Sequence, residues 1–571
     1  MSWMDETLKR AAVTAAAPQA PTTPDKLHTT TITPGWLERA TPPLVGAVAL
    51  IFGLIRLGAP SLWMDEAFSV QLSRQPLTTL EAAFTSGSEP NMIGYHFLLH
   101  YWLAFGSAVG LRASEAFVRF PSAIFAALSA VVLYLLGRRF LGQTAALVAA
   151  IIYMASGWQL TYAQEARGYA MQLLFVTLGW LALLAAVSIT PQENGWRDWR
   201  AWRWWGVFAL AMAVAMYAQA FTALVLLAQG LTFLVWLIWP NPWRNRARQA
   251  FFPAVAAAIV VGALIAPLAY VSRHGSKTGW LPSPNLSELT SKLNSLLGTG
   301  KHAALIVGGL VAVVVIVAAL AWLLLTPAGK RALGRVPALT RFGRADGGAL
   351  VGDVWPVALG LALWVVAPVV VSYVVSLGPT RIFSSRYLVV IWPALCLGLG
   401  MAVAALRWPV ARAALLALVP IVMLVLAPSY YAHAQVEDWR TPVRWLEREY
   451  QPGDGLVSYN NVQGAELPVD YYLTTDGSPA HFDANSPGKI VWSLYGHGDP
   501  FATYEQALNP TALAAYAAQH PRIFFIEGRF TDAADEAKAH AAQAWLDSHY
   551  RFISQTSSGV VTIRLYVTNG A

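Results

Sequence analysis

The chain has 571 residues, of which 56% are hydrophobic and only 12% are charged, and its mean hydropathy is +0.47. Soluble domains carry about 25% charged residues, so this composition excludes an ordinary soluble globular protein and predicts a polytopic α-helical membrane protein. The net charge of +8 is typical of the Lys and Arg excess in cytoplasmic loops, so it indicates no nucleic-acid partner. A single cysteine, Cys396, excludes a disulfide framework within the chain.

Residues 1–42 differ from the rest of the chain because they are rich in Ala, Thr and Pro. They show no short apolar core with a cleavage site, so we interpret them as a flexible cytoplasmic tail rather than a signal peptide. Apolar runs of spanning length fill residues 43–428, which we assign as the membrane domain. We predict about eleven transmembrane helices, at 43–58, 120–137, 143–160, 168–189, 204–220, 221–239, 252–271, 303–325, 353–377, 387–405 and 411–428.

The shorter apolar run 92–109 decides the orientation of the chain, because Gly94 and Gly106 interrupt it and it is ambiguous as a span. If it does not cross the membrane and the N-terminus is cytoplasmic, every basic loop cluster lies inside, as the positive-inside rule requires. These clusters are Arg138/Arg139, Arg197/Arg200/Arg203, Arg244/Arg246/Arg248, Lys330/Arg331/Arg335/Arg341/Arg344 and Arg407/Arg412. We therefore predict an interfacial helix within the outer loop 59–118, in a bacterial inner or plasma membrane.

Residues 429–571 alternate strand-like and helix-like segments, which predicts a small α/β domain on the outer side of the membrane. The predicted strands are Gly455–Tyr459, Lys489–Leu494 and Arg522–Ile526, and the predicted helices are 439–450, 504–519 and 532–548. A β-hairpin is expected over 551–568, with its turn at Ser557–Ser558–Gly559. Asp438 is expected to cap the first of these helices.

Two adjacent carboxylates, Asp65 and Glu66, follow the first predicted span in the segment SLWMDEAFSV (61–70). Adjacent residues of a helix point about 100° apart, so one carboxylate can face a cavity while the other binds backbone or a basic partner. Taken alone, the two residues are better explained as an ordinary solvated pair at the start of an interfacial helix than as a site.

The segment TYAQEARGYAM (161–171) places Glu165 and Arg167 at the outer mouth of the following span. They form either an interfacial ion pair or a site where Arg167 neutralises a phosphate or fixes a carboxylate. Further cations on the predicted outer face depart from the positive-inside bias, namely Arg273, His274, Lys277, Arg381 and Arg386. Outward cations at a membrane edge suit an anionic ligand such as a lipid phosphate, and snorkelling anchors are the alternative.

Two patterns raise the question of a metal. His96 and His100 lie four residues apart on one helix face, a spacing that zinc uses, but no third ligand is spaced to complete a site. Packing or hydrogen bonding is therefore the favoured interpretation of this pair. Asp65 and Glu66 could hold Mg²⁺ or Mn²⁺ with other oxygens. The sequence spaces no complete ligand set for that either, so no metal site is assigned and a divalent cation is an open alternative.

The order of several short motifs resembles a known family. The motifs are LWMDE (62–66), EPNMIGYHFLLHYWLAFG (89–106), VRFPSAIFAAL (118–128), LGRRFLG (136–142), YAQEARGYAM (162–171) and SRYLVVIWPAL (385–395). This order is similar to that of GT-C membrane glycosyltransferases of the protein mannosyltransferase and aminoarabinose transferase group, a glycosyltransferase family 39-like pattern. The resemblance covers residues 43 to about 240 well, is looser from 250 to 428, and says little about the outer domain.

The resemblance implies transfer of a sugar from a polyprenyl-phosphate carrier to an acceptor on the outer face of the membrane, mostly without a metal. By resemblance, Asp65 is the general base for an acceptor hydroxyl that attacks C1 of the sugar, with inversion, and Glu66 orients nearby groups. Arg386, with Arg167 or Lys277, would hold the phosphate and stabilise its developing charge. The candidate substrate-binding residues are Glu89, Tyr95, Glu165, Arg167, Tyr169, Lys277, Arg386 and Tyr387.

One departure from the family concerns the acceptor. The family often has consecutive prolines before the interfacial helix, whereas this chain has Glu89-Pro90-Asn91-Met92-Ile93-Gly94-Tyr95. The resemblance therefore does not define the acceptor, which is a lipid, a glycan or a protein. A transporter or lipid flippase is the main alternative, and it would need charges or broken helices near the middle of the membrane. A non-catalytic scaffold with a sensory outer domain is the third interpretation.

Overall fold

The computed structural model describes residues 35–189, 199–274, 281, 284, 350–406, 415–421, 428, 430–432, 434–459, 465–500, 510–530 and 533–568. The predicted span 303–325, most of the predicted span 411–428, and Lys277 lie outside the described residues. The chain divides into two compact units, Met1–Pro42 and Pro43–Ala571. Asp65 and the other described candidate site residues belong to the second unit.

Helices make up most of the described chain before residue 407, as the composition predicts. They are α1 (Gly35–Leu54), α2 (Met64–Arg74), α3 (Leu77–Thr85), α4 (Ile93–Ala108), α5 (Glu115–Phe140), α6 (Gln143–Ala155), α7 (Gly157–Ala163), α8 (Tyr169–Ser188), α9 (Trp199–Ala218), α10 (Thr222–Ile238), α11 (Arg244–Gln249), α12 (Phe251–Val271), α13 (Leu350–Ser376), α14 (Ser385–Leu388) and α15 (Trp392–Ala404). A 3₁₀ turn, Val389–Ile391, joins α14 to α15. Helix α1 begins eight residues before the predicted first span.

Five helices among the described residues are long and apolar enough to cross a membrane, or six if the bent pair α6 and α7 forms one span. Helix α10 is a shorter apolar helix, and α4, at 16 residues, is shorter than the roughly 20 residues that a span needs. These helices confirm an integral membrane protein with a mostly helical fold. The total of about eleven spans and the orientation of the termini stay predictions.

Helix α8 lies at the centre of the membrane part and α12 lies at its edge. In the apolar window of α8, 89% of the residues are buried, against 22% in the window of α12. Phe252 and Ile259 of α12 are exposed although this helix is apolar on all sides. A helix of that kind is stable where lipid tails cover its outer face.

A four-stranded sheet with flanking helices forms the C-terminal domain, which confirms the predicted α/β class. The strands are β1 (Gly455–Tyr459), β2 (Arg522–Glu527), β3 (Tyr550–Ser558) and β4 (Val561–Thr568), and the helices are α16 (Arg440–Glu449), α17 (Glu466–Asp476), α18 (Pro510–Ala517) and α19 (Ala533–His549). The strand order is β1-β2-β4-β3, with β1 and β2 parallel and the other pairs antiparallel. The predicted hairpin is confirmed, and Gly559 takes the left-handed φ of 60° that its turn needs.

One predicted strand of this domain is wrong, and one helix is absent from the prediction. The segment Lys489–Leu494 forms no strand, because the N–H of Val491 donates to the carbonyl of Pro500 and a 3₁₀ turn follows. Helix α17 has the sequence ELPVDYYLTTD, whose proline, aromatic and β-branched residues do not favour a helix. Burial of most of its first eight residues, including Leu467 and Tyr471, stabilises it instead.

Candidate active site

Helix α2 carries Asp65 and Glu66 in its first turn and is almost wholly buried. The helix begins at Met64, directly after the extended residue Trp63. The first turn of a helix exposes unpaired N–H groups and favours acidic side chains, which explains why two carboxylates are stable there. Since the residues from Met64 to Ser73 are buried, each polar side chain among them needs a partner within the protein.

Glu66 forms a buried, bidentate ion pair with Arg119 of α5. Its Oε1 accepts a hydrogen bond from Nε of Arg119 at 2.8 Å, and its Oε2 accepts one from Nη2 at 2.6 Å. Oε1 also accepts from the backbone N–H of Ala166 at 2.8 Å. The two charged side chains are only 1% and 3% exposed. Glu66 therefore ties α2 to α5 and to the loop before α8, in the geometry that makes charged hydrogen bonds strongest.

Arg119, which the sequence motifs do not single out as a site residue, also organises the loop between α1 and α2. Its guanidinium donates to the carbonyls of Leu57, Pro60 and Ser61 at 3.0, 2.8 and 3.0 Å. A signal for it exists in the sequence, because Arg119 is a cation at the outer end of a predicted span, as Arg386 is. Its contacts hold the loop that leads directly into the two carboxylates.

Asp65 faces two arginines from distant parts of the chain. Its Oδ2 lies 2.9 Å from Nη1 of Arg386 and 3.6 Å from Nη2 of Arg167. Arg167 also donates to the backbone carbonyl of Asp65 at 3.1 Å. The guanidinium of Arg386 lies 4.8 Å from the ring centroid of Trp63, within the range of a cation–π interaction. The fold thus brings together Asp65, Arg167 and Arg386, which come from three different sequence motifs.

A cavity of about 430 Å³ lies beside these charges, within the usual range of small-molecule sites. The charged and aromatic residues that line it include Trp63, Glu66, Arg119, Trp158, Glu165 and Arg386. Asp65 does not line the cavity formed by these described residues, but it contacts Arg386, which does. The arrangement suits a ligand whose anionic group approaches Arg386 and whose neutral part lies against the aromatic rings.

Glu165 and Arg167 lie in the buried loop between α7 and α8. Burial raises the pKa of the Glu165 carboxyl to about 8, although the nearby Arg167 opposes this change. Burial lowers the pKa of Arg167, but neighbouring acidic groups, with Asp65 first among them, outweigh it and raise this pKa above its ordinary value. At neutral pH Arg167 is therefore a cation, and Glu165 is mostly protonated and able to donate a hydrogen bond.

We expect Glu165→Gln to flatten the pH dependence of stability. The folded-state pKa of about 8 lies above the unfolded value of roughly 4.3, so the folded protein holds an extra proton between these two values. The free energy of unfolding of the wild-type protein therefore falls as the pH rises through this window, by up to about 1.4 kcal/mol per pH unit. The variant has no carboxyl group at this position, so its free energy of unfolding does not show this fall. Thermal unfolding of both proteins across the window measures the difference. The exposed Glu81→Gln is the control, and parallel curves for Glu165→Gln and wild type would contradict the assignment.

Two predicted tyrosines lie close to this loop. The ring of Tyr169 packs 4.6 Å from that of Tyr162, and the ring of Tyr387 packs 5.7 Å from that of Phe221. The loop can approach α9 this closely because residue 168 is glycine. A Cβ on Gly168 would fall inside van der Waals distance of a backbone carbonyl oxygen at the end of α9.

The other predicted substrate residues are placed differently. Tyr95 is fully buried and shares a hydrogen bond with Ser122 at 3.0 Å, so in this structure it joins α4 to α5. Glu89 is close enough to Arg167 to interact with its charge. Lys277 lies outside the described residues. Contact of any of these residues with a substrate stays a prediction.

His96 is a buried, neutral histidine beside this site. Burial and the charge of Arg167 lower its pKa to about 3, and its ring packs edge-on against Phe68 at 6.1 Å. Neither of its ring nitrogens has a hydrogen-bond partner within the described chain. His100, one turn later, bonds the carbonyl of Ser73 at 2.9 Å. The described residues contain no group of three or more His, Cys, Asp and Glu side chains that could hold a metal ion.

The C-terminal domain bonds directly to the loop that precedes Asp65. The hydroxyl of Tyr472 lies 2.9 Å from the hydroxyl of Ser61 and accepts a hydrogen bond from the backbone N–H of Leu62 at 2.9 Å. The carboxylate of Glu437 accepts from the backbone N–H of Met64 at 3.1 Å. Three backbone or side-chain groups within four residues of Asp65 therefore have partners in the C-terminal domain.

Arg440 of α16 adds a second set of bonds to the same loop. Its Nη1 donates to the carbonyl of Ala59 at 3.1 Å and its Nη2 donates to that of Gly58 at 3.0 Å. Its Nε donates to Glu115 at the start of α5 at 2.7 Å. Arg119 and Arg440 together bond the five consecutive backbone carbonyls from Leu57 to Ser61.

Several solved structures are similar to this chain at low sequence identity. The crystal structure of ArnT from Cupriavidus metallidurans bound to undecaprenyl phosphate is 15% identical, with a TM-score of 0.49, over 93% of this chain and 98% of that chain. AglB from Archaeoglobus fulgidus, in complex with an inhibitory peptide and a dolichol-phosphate, is 12% identical, with a TM-score of 0.44, over 93% and 74%. The arabinofuranosyltransferase AftD from Mycobacteria is 14% identical, with a TM-score of 0.47, over 93% and 40%.

One family model matches part of the chain. No curated protein matches the chain. Residues 96–270 match the family described as dolichyl-phosphate-mannose-protein mannosyltransferase. This region contains Arg119, Glu165 and Arg167 of the site. Over residues 96–270 the match agrees with the resemblance to GT-C membrane glycosyltransferases that the motifs predict.

Proposed function

We propose that the protein is an inverting glycosyltransferase that moves a sugar from a polyprenyl-phosphate carrier to an acceptor hydroxyl or phosphate on the outer face of the membrane. The observation that supports this most is the contact of Asp65 with Arg386 and Arg167 beside the 430 Å³ cavity. A carboxylate is thereby held next to two cations, and one of them, Arg167, lies in the family-matched region 96–270. A base and a phosphate-binding cation side by side are the two groups that this transfer needs.

In the proposed reaction the donor phosphate binds Arg386 and Arg167, the two arginines that share Asp65 as an ion-pair partner. Asp65 takes the proton of the acceptor hydroxyl as the acceptor oxygen forms a bond to C1 of the sugar. The bond from C1 to the phosphate oxygen breaks, and its electron pair leaves with polyprenyl phosphate. The arginines stabilise the charge that develops on that phosphate.

Glu66 and Glu165 take different parts in this proposal. Glu66 is bonded to Arg119 and Ala166, so it positions α2 and leaves Asp65 as the base. The protonated Glu165 donates a hydrogen bond to a sugar or acceptor oxygen in the cavity. The proposed outer location is supported by the charge pattern of the loops, which predicts a cytoplasmic N-terminus and an extracytoplasmic C-terminal domain.

The direct test is sugar transfer by the purified protein from polyprenyl-phosphate donors that carry different hexoses or pentoses. Release of free polyprenyl phosphate and a glycosylated product with inverted configuration at C1, measured by mass spectrometry and NMR, is the expected result. Translocation of the intact donor across liposome membranes without any transfer would instead support a flippase. Loss of particular glycolipids or glycoproteins on deletion of the gene identifies the acceptor.

Arg386→Ala is expected to weaken donor binding more than acceptor binding. A hydrogen bond to a charged group contributes about 1.5–3 kcal/mol, so the KM for the donor should rise about 10–100-fold while the KM for the acceptor changes little. Arg381→Ala is the matched control, because Arg381 lies five residues earlier and donates to the carbonyl of Ser376 at 2.8 Å. Equal effects on both substrates would remove Arg386 from the phosphate site.

A further inference from the structure

A second and larger cavity, of about 980 Å³, lies on the other side of the loop between α1 and α2. It is bounded by the end of α1, the turn between α4 and α5, and helices α16 and α17 of the C-terminal domain. The aromatic and charged residues that line it include Arg56, Trp102, Phe117, Phe120, Arg440 and Arg444. None of the predicted site residues lies among the described residues that line this cavity.

One wall of this second cavity is aromatic and stands at the membrane boundary. Trp102 stacks on Phe117 and on Phe120, with ring centroids 4.8 and 5.9 Å apart and interplanar angles of 17° and 19°. These rings belong to the end of α4 and the start of α5 and are next to the end of α1, so they lie where two apolar helices leave the hydrocarbon. Stacked aromatic residues at that depth suit the upper part of a lipid chain.

The opposite wall carries an excess of positive charge. Four arginines and two carboxylates line the cavity, which leaves two positive charges in excess. Arg112 pairs with Asp476 at 2.7 Å, and Arg440 bonds Glu115. Arg56 and Arg444 are both exposed, and Arg444 is close enough to Glu447 of the same helix to interact with its charge. The cavity therefore offers more guanidinium groups than carboxylates beside an apolar wall.

The backbone of Arg56 adds an independent observation. Its φ of 56° places a residue with a long side chain in the left-handed region, one of only two such non-glycine residues in the described chain. Such a conformation costs of the order of 1–3 kcal/mol and persists where the surroundings require it. At Arg56 the backbone turns directly after the end of α1, and Arg56 lines the cavity at this turn.

We propose that this second cavity binds the headgroup of an anionic phospholipid of the surrounding bilayer. Arg56 and Arg444 would hold the phosphate, and the first carbons of an acyl chain would lie on the wall of Trp102, Phe117 and Phe120. Guanidinium groups pair with phosphate oxygens through parallel hydrogen bonds, and lipid chains cover aromatic surface. A volume of 980 Å³ takes a headgroup with the start of its chains, and the remainder extends into the bilayer.

This lipid site would share a wall with the proposed active site. Leu57 and Gly58 line the lipid cavity, whereas Pro60, Ser61 and Trp63 line the catalytic one. The loop that separates the two cavities leads into Asp65. A bound phospholipid would therefore support this loop from the side opposite to the substrate, without touching a reacting atom.

The experiment measures lipid binding directly, so it does not depend on catalysis. Full-length protein in detergent is titrated with phosphatidylglycerol and, separately, with phosphatidylcholine, and bound lipid is counted by native mass spectrometry. The double variant Arg56→Gln/Arg444→Gln is compared with Arg448→Gln/Arg551→Gln. The control pair removes the same charge from exposed residues outside the cavity, one of them on the same helix α16.

We expect one tightly bound phosphatidylglycerol, preferred over phosphatidylcholine, and a loss of roughly tenfold in its affinity only in the Arg56/Arg444 variant. Asp65→Asn should bind the lipid like wild type, which separates this site from the proposed reaction. Equal lipid binding by the two double variants would overturn the proposal. So would equally tight binding of soluble glycerol phosphate, or displacement of the phospholipid by polyprenyl phosphate, which would make the cavity a donor site.

Discussion

We expect Asp65→Asn to lower the rate of sugar transfer by about 10²–10⁴-fold, because a positioned general base accelerates a reaction by about this factor. Asparagine has nearly the same size and keeps a carbonyl oxygen toward Arg386, so the change removes the proton acceptor with little disturbance of packing. The KM for the donor should change much less than the turnover rate, because Arg386 and Arg167 remain. Steady-state transfer assays with saturating acceptor measure both quantities.

The control for this prediction is Asp547→Asn, which neutralises a carboxylate that accepts a hydrogen bond from Tyr566 in the C-terminal domain. That variant should transfer sugar at the wild-type rate. Thermal unfolding must show that Asp65→Asn folds as the wild type does. Full turnover by a correctly folded Asp65→Asn protein would exclude this residue as the base.

The second large effect concerns stability. Glu66→Gln or Arg119→Gln removes one member of the Glu66–Arg119 pair. Each change should lower the free energy of unfolding by about 3–5 kcal/mol, because it leaves the other charge buried without its partner. The double variant should be destabilised by less than the sum of the two single changes, since it leaves no isolated charge. Reversible unfolding in mixed micelles of increasing denaturing detergent measures all three variants.

An exposed ion pair of the same chemistry provides the comparison. Arg112→Gln breaks a pair with Asp476 in which the arginine side chain is 67% exposed. This change should lower the free energy of unfolding by at most about 1 kcal/mol. Additive effects of Glu66→Gln and Arg119→Gln would show that the two residues act independently. That result would also contradict the proposal that Glu66 positions α2 rather than reacting itself.

The sequence predicts the members of the site better than their partners. Asp65, Arg167 and Arg386 stand out because they are charges at the outer ends of apolar segments, and the fold brings all three together. The different environments of Asp65 and Glu66 follow from the 100° step of a helix. Their partners do not follow from any local pattern, because Arg119 lies 53 residues from Glu66 and is recognised only when α2 packs on α5.

In the C-terminal domain, too, the sequence predicts local elements but not the long-range contacts between them. The hairpin and the strands β1 and β2 are predicted from the sequence because strand-forming runs and turn residues are local signals, but the parallel pairing of β1 with β2 is not predicted. Helix α17 is not predicted from the sequence, because its residues disfavour a helix and burial in the folded protein outweighs that preference. Nor does any motif indicate that Tyr472 of this helix bonds the loop before Asp65. The contacts that shape the site are long-range, and single-sequence patterns carry little information about them.

The bonds between that loop and the C-terminal domain also set an order of events during synthesis of the chain. Ser61 and Tyr472 are 411 residues apart, and Met64 and Glu437 are 373 apart. At about 5–20 residues per second, the loop waits roughly 20–80 s for these partners after it leaves the ribosome. The membrane helices can insert long before Asp65 reaches its final position. On the proposed mechanism, a nascent chain would thus stay inactive until Glu437 and Tyr472 have been synthesised and have reached this loop.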